Sequence, residues 1–336
     1  MACSRRELFA AGLVGSAGLW SGCGGGDDEQ EKRPLQVSAG PYLAMSSLYL
    51  GLERGYFREA GLDVELRQVP GSSQALPLLA RGRIDVAFTA LNPSLVNAVI
   101  KGARIRIVAG REILAPACPD AIIAYGSAAT FPDGLTDARQ LRGKRVSVTR
   151  SSTFGLFMLD HLLRGAGLSL DDVKLARLRR SEAIAGLMSG QIDATSGSDL
   201  RFSHVLESDK IVRGIPLAEV LPEFQYSFVL FGKRLLQGDS RAGARFLSAY
   251  LRAGRDFLRG ETPEFMNEYS ASNHLDAEAV RTACRDTFRA DGEIQMEDIQ
   301  ETIDWFDEQH MIEDRLTAAR ITDTRFLRLA REEARK

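Results

Sequence analysis

Cysteine is too scarce to frame a disulfide scaffold: four in 336 residues, at positions 3, 23, 118 and 284, with no pair at metal-ligand spacing. Histidine is equally sparse, and His161, His204, His274 and His310 stand apart, each reading as a surface or capping residue rather than a metal ligand. Neither sign of charge is in excess. Lys and Arg number 43 against 45 Asp and Glu, a net charge of −2, so nothing steers the chain toward nucleic acid. No apolar run reaches the roughly 18 residues of a membrane-crossing helix. With 44% hydrophobic and 26% charged residues, what is present is an ordinary globular composition, long enough for two lobes rather than one core.

The apolar run at 8–20 has no polar positions at helical spacing, which argues against a core helix. Arg5-Arg6 precedes it, the order of an export signal, and the arginine pair points to twin-arginine export. The run ends in Leu19-Trp20-Ser21-Gly22-Cys23, which resembles a bacterial lipobox, with Trp20 where Leu or Val is usual. Residues 1–22 are therefore expected to be a signal peptide, Cys23 a lipidated N-terminus that anchors the protein to a membrane, and 23–34 a flexible tether. Cys118 and Cys284 remain, either bridged or, as the burial habit of cysteine favours, two free thiols.

Beyond the tether one grammar occurs twice. Alternation at 35–40, helical spacing at 46–59, alternation at 62–69, a helix at 73–81 and a short strand at 84–88 spell β-α-β-α-β. A strand at 145–149, a helix at 153–164, a strand at 172–178, a helix at 181–188 and a strand at 191–195 repeat it. The glycines that close the helices, Gly61 and Gly82, then Gly167 and Gly190, lie 21 and 23 residues apart, and each copy ends in Gly-x-Ile-Asp. Glycine suits such an end because the residue after a helix often needs positive φ. Two such units predict two α/β lobes with parallel-core sheets and helices on both faces. The segments 121–125 and 226–231 are expected to be crossing strands between lobes. The lobes are then 35–125 with 226–336, and 126–225. The remainder from 240 is amphipathic helix, with Phe246, Leu247, Tyr250, Leu251, Phe257 and Leu258 on one face, expected to pack on the first lobe.

In open α/β sheets a ligand sits beyond the carboxyl ends of the strands. The loops there offer Tyr42, Met45, Ser46, Ser72, Ser73, Thr89 and Asn92 from the first lobe, and Ser151, Ser152, Thr153, Phe154 and Asp199 from the second. Several lead into helices, whose starts favour anions. Ser46, Ser73 and Ser152 serve equally as plain N-caps, and capping does not exclude contact. Tyr42 is the best stacking residue for a planar ligand, while Phe88, inside a strand, reads as core. Asp199 is the carboxylate of these loops, with Arg111, Arg150 and Arg201 the nearby cations; Asp85 and Asp193 read as surface or turn residues.

Four stretches resemble a known family: Leu50-Gly51-Leu52-Glu53-Arg54-Gly55-Tyr56-Phe57-Arg58-Glu59-Ala60-Gly61-Leu62-Asp63-Val64-Glu65, Gly82-Arg83-Ile84-Asp85-Val86, Leu141-Arg142-Gly143-Lys144-Arg145-Val146-Ser147-Val148 and Gly190-Gln191-Ile192-Asp193-Ala194. They are similar to periplasmic solute-binding proteins of ABC importers, in the SsuA-like branch that handles sulfonates, taurine, nitrate and the pyrimidine precursor of thiamine. The resemblance implies a two-lobed, hinge-closing type II periplasmic binding protein, not an enzyme, that needs no cofactor or metal and passes a small molecule to a membrane permease. Family members often carry a Trp-Glu-Pro-like element where this chain has Gly197-Ser198-Asp199-Leu200-Arg201, so the solute, a sulfonate-like anion or a planar heteroaromatic, stays open. The alternatives are a receptor for a sensor kinase, or an enzyme like the thiamine-pyrimidine synthase of the same superfamily. The cysteine-rich iron-site signature of that synthase is missing here.

Overall fold

Four glycines hold the frame of both repeats in place. In the computed structural model, which describes residues 33–335 except 41, 70–71, 150–151, 198–205 and 207, Gly61, Gly82, Gly167 and Gly190 have φ of 68°, 68°, 70° and 71°. A Cβ at any of them would meet no atom within 4 Å, so conformation rather than crowding selects glycine there. The segment expected to be a signal peptide, Cys23 and most of the expected tether lie outside the described residues.

The first sheet runs β2-β1-β3-β10-β4, from β1 (Leu35–Ala39), β2 (Val64–Gln68), β3 (Val86–Ala90), β4 (Arg106–Ile113) and β10 (Gln225–Phe231). The second runs β7-β6-β8-β5-β9, from β5 (Ile123–Ser127), β6 (Arg145–Thr149), β7 (Lys174–Leu178), β8 (Ala194–Gly197) and β9 (Ile211–Pro216). Each has a parallel core, β1 with β2 and β3, and β6 with β7 and β8. Each also receives one strand inserted antiparallel, β10 between β3 and β4, and β5 between β8 and β9. The inserted strand is in both cases the first after the chain changes sheets, through 114–122 on the way out and 217–224 on the way back. The segments read from sequence as crossing strands thus begin at the crossing and then run inside one sheet. The observed strands and helices lie within about two residues of the expected ones, except that the first helix divides at Gly55 into Ser46–Glu53 and Tyr56–Glu59.

The paired Gly-x-Ile-Asp motifs have matching roles, and neither aspartate is a surface residue. Asp85 is 1% exposed and Asp193 6%. Asp85 Oδ2 accepts the backbone N–H of Gln36 at the start of β1 (2.9 Å), and Asp193 Oδ2 accepts that of Arg145 at the start of β6 (2.7 Å). Each carboxylate also takes an arginine, Arg234 at 3.2 Å and Arg145 at 2.8 Å. A carboxylate between two parallel strands pairs an N–H that the ladder leaves over, and the arginine offsets its burial. These aspartates tie the parallel cores together at the end away from the loops.

The C-terminal helices do more than pack on the first sheet. Helix Ser240–Leu258, capped by Asp239 on the N–H groups of Arg241 and Ala242, buries Phe246, Leu247, Tyr250 and Leu251 as its sequence face predicts. It packs against helices Ser46–Glu53 and Arg325–Glu333. Helix Met296–Glu308 instead also grips the second lobe. Trp305 Nε1 donates to buried Asp160 at 2.7 Å, His161 Nε2 meets Glu301 Oε1 at 3.1 Å, and Arg164 reaches Glu308 at 3.0 Å. All three partners lie on helix Thr153–Gly165, so this C-terminal helix joins the lobes, where the sequence pattern places it on one.

Candidate functional site

Of the two states open to Cys118 and Cys284, the structure shows the bridge that the sequence reading disfavours: a disulfide with Cα atoms 5.7 Å apart across 166 residues. The bond fastens the outgoing crossing segment to the loop after helix Ala277–Thr282. Sequence spacing carries no trace of this proximity, because only the folded C-terminal region brings 284 beside 118. The same junction encloses a cavity of about 610 Å3.

Its walls come from four places. The turn after β1 contributes Tyr42 to Ala44, Ser46 and Ser47; the ends of β4 and β10 contribute Glu112 and Tyr226; the crossing segment contributes 117–122. Phe257, Met266, Tyr269 and residues 279, 280, 282–285, 287 and 288 close it from the C-terminal side. No described residue from 123 to 225 lines it. The cavity thus belongs to the first sheet, the crossing and the C-terminal helices.

Beneath it lies a buried charge. Arg111, 4% exposed, pairs with Glu112 at 2.9 Å and donates to the carbonyl of Ala44 at 2.9 Å, tying the β1 turn to β4. Burial works against the Arg111 charge, yet Glu112, Tyr250 and Tyr226 around it hold its pKa above the ordinary value. Burial, with the Glu112 charge, pushes Tyr226 well above a normal phenol, and burial pushes Tyr250 to about 12. Both phenols therefore stay protonated at neutral pH. Gly254 faces the Phe288 ring so closely that a Cβ would come within 2.2 Å, which makes this glycine part of the wall's support.

Of the residues expected at the site, Tyr42 and Ser46 line the cavity. Tyr42 is 37% exposed and Ser46 Oγ donates to the carbonyl of Leu43 at 2.7 Å. Met45 turns into the core at 6% exposure. Asn92 caps helix Pro93–Ile100 through Leu95 N and donates to Thr89 Oγ1 and the carbonyl of Ala90; Thr89 donates to the same carbonyl. Ser152 caps helix Thr153–Gly165 through Gly155 N, at 2.9 Å. Ser72 and Ser73 start helix Ser72–Ala80, and Thr153 starts its own helix without lining the cavity. Ser151 and Asp199 lie outside the described residues.

Phe154 stands one ring away. It stacks on Tyr226 with centroids 4.5 Å apart and planes at 17°, so one tyrosine serves both as cavity wall and as the landing of the second lobe. Sequence reasoning missed Glu112, Phe257, Tyr269 and Phe288. The legible signal was Arg111-Glu112, two adjacent charges inside the apolar run 105–115, since a charged pair in a buried strand marks a site more often than a surface pair does.

Residues 44–259 match the family described as NMT1/THI5 like. The chain belongs to that family. The match stops at residue 259, before the segment that supplies Met266, Tyr269 and eight residues between 279 and 288 to the cavity. Among curated relatives, a 4-amino-5-hydroxymethyl-2-methylpyrimidine phosphate synthase from Aspergillus parasiticus is 28% identical over 160 residues, 47% of this chain. That match spans 43% of the synthase, so the chain covers under half the length of this relative. The alkanesulfonate-binding protein SsuA from Xanthomonas axonopodis pv. citri, solved with MOPS, superposes with a TM-score of 0.67 at 20% identity, over 87% of this chain and 98% of that one. The periplasmic aliphatic sulphonate binding protein SsuA from Escherichia coli gives 0.70 at 19% identity, over 87% and 92%. The fold is that of the periplasmic binding proteins.

Proposed function

We propose that the protein is an extracytoplasmic receptor, exported through residues 1–22 and anchored at Cys23, that captures a small organic solute and delivers it to an ABC permease. The observation that carries this reading is the cavity of about 610 Å3 at the junction of the lobes, a size suited to one small molecule. Tyr226 supplies the mechanism. A solute in the cavity touches the ring on which Phe154 of the second lobe stacks, so occupancy favours the lobe arrangement that keeps this stack.

The test is a thermal-shift screen of small solutes followed by calorimetry, because a ligand that binds only the folded state raises apparent stability. A hit whose affinity falls in Tyr226→Ala supports the reading. Unchanged affinity in a folded Tyr226→Ala protein would remove the cavity from the function. The relative named as a synthase favours a second reading, an enzyme that alters its bound molecule. Mass spectrometry of the hit after prolonged incubation separates the two, since a receptor returns it intact.

A further inference from the structure

The chemistry of the cavity wall narrows the class of solute, an inference that rests on the receptor reading above. Five of the 24 described lining residues are aromatic, among them Tyr42, Tyr226 and Tyr269, and the faces of such rings attract cations and repel anions. Glu112 brings a carboxylate to the wall with its side chain 15% exposed, while Arg111, its 4% exposed partner, is not among the lining residues. Asp120 adds a second carboxylate at the rim, paired with Arg213 at 2.7 Å.

The one cation among the described lining residues is already engaged. Arg285, the cation among the lining residues, donates through Nη1 to the carbonyls of Phe257 and Glu261 and through Nη2 to that of Arg281. Its guanidinium also lies over the Phe257 ring, 4.6 Å from the centroid. It fastens helix ends together rather than presenting a fork to a ligand. At the start of helix Ser46–Glu53 two N–H groups are also taken. The turn before it turns the N–H groups of Met45 and Ser46 onto the carbonyls of Tyr42 and Leu43. An anion here meets rings and carboxylates, whereas a cation finds both favourable.

We infer that the cavity takes an organic cation, a compact ammonium or amidinium held against the Glu112 carboxylate and among the Tyr42, Tyr226 and Tyr269 rings. This differs from the sulfonate class of the SsuA neighbours. It arises from a wall of which ten of the 24 described lining residues lie beyond the family match at residue 259.

The experiment is calorimetry on the purified protein with tetramethylammonium, butylammonium and benzamidinium, against 1-propanesulfonate and neutral 2-aminopyrimidine. At least one cation should bind, and the sulfonate should bind at least about 100-fold more weakly, as opposite responses to the same carboxylate and rings require. Glu112→Gln should weaken the cation by about 10-fold or more, and Tyr42→Ala, at an exposed residue, by several-fold. Because Glu112→Gln leaves Arg111 buried beside a neutral side chain, its melting curve is recorded alongside; if it does not fold, Tyr42→Ala decides. Sulfonate or neutral-ring binding without cation binding overturns the inference and leaves the receptor reading standing. Cation affinity unchanged in the folded variants also overturns it. Binding of no probe overturns the inference as well, while the receptor reading is decided by the wider solute screen.

Discussion

Replacing Asp193 by Asn should cost the protein stability in a strongly pH-dependent way. Asp193 Oδ2 accepts Arg145 N at 2.7 Å and Nε at 3.0 Å, while Oδ1 accepts Arg145 Nη2 and Thr130 Oγ1, both at 2.8 Å. Led by the Arg145 side chain, and against the cost of burial, these bonds lower the Asp193 pKa from 3.8 to about 2. A depression of nearly two units corresponds to about 2 kcal/mol in favour of the folded, ionised state. The Asp193 side chain is 9% exposed, so little of this is lost to screening, although Arg145 at 45% can rehydrate in the variant. Since the folded pKa lies below the unfolded one, the stabilisation is fully present above about pH 4 and drains away as pH falls toward 2. Urea unfolding of the parent and Asp193→Asn proteins should differ by about 2 kcal/mol at pH 7 and converge near pH 2. A difference that stays constant from pH 7 to pH 2 would refute the ionic account and leave only a packing effect.

Three further outcomes follow from other contacts. Changing both Cys118 and Cys284 to Ser should lower stability by about 2–4 kcal/mol, with about 5 as the chain-entropy ceiling for so long a loop, read by urea unfolding under non-reducing conditions. Thiol counting of the denatured parent should find no reactive pair from 118 and 284. Trp305→Phe removes the donor to buried Asp160 and should cost about 1–3 kcal/mol, loosening the second lobe from helix Met296–Glu308; a melting midpoint equal to the parent's would show that this bond does not hold the lobes. Ser152→Ala should cost about 1 kcal/mol through loss of its cap, with solute affinity unchanged in calorimetry; a fall in affinity without a fall in stability would return Ser152 to the binding site.

The repeats were legible because their determinants are local. Alternation at 145–149 places side chains on two faces wherever the strand ends up, and Gly61 or Gly190 takes positive φ without help from distant residues. The capping role of Ser152 was legible as one of two readings for the same reason. By contrast, Asp85 and Asp193 looked like turn residues. Their value lies in β1 and β6, each about 50 residues earlier in the chain.

The order of strands and helices, the two-lobed plan and the family are properties of periodicity and short motifs, set by backbone conformation and hydrophobic patterning along the chain. The place where a solute would rest is another matter. It needed Glu112, Tyr226, Tyr269 and Cys284 to converge from segments spread over 172 residues of chain, and no spacing in a linear sequence encodes such a meeting. Helix Met296–Glu308 was readable as an amphipathic helix but not as a bridge, since one apolar stripe looks alike whether it covers one lobe or two.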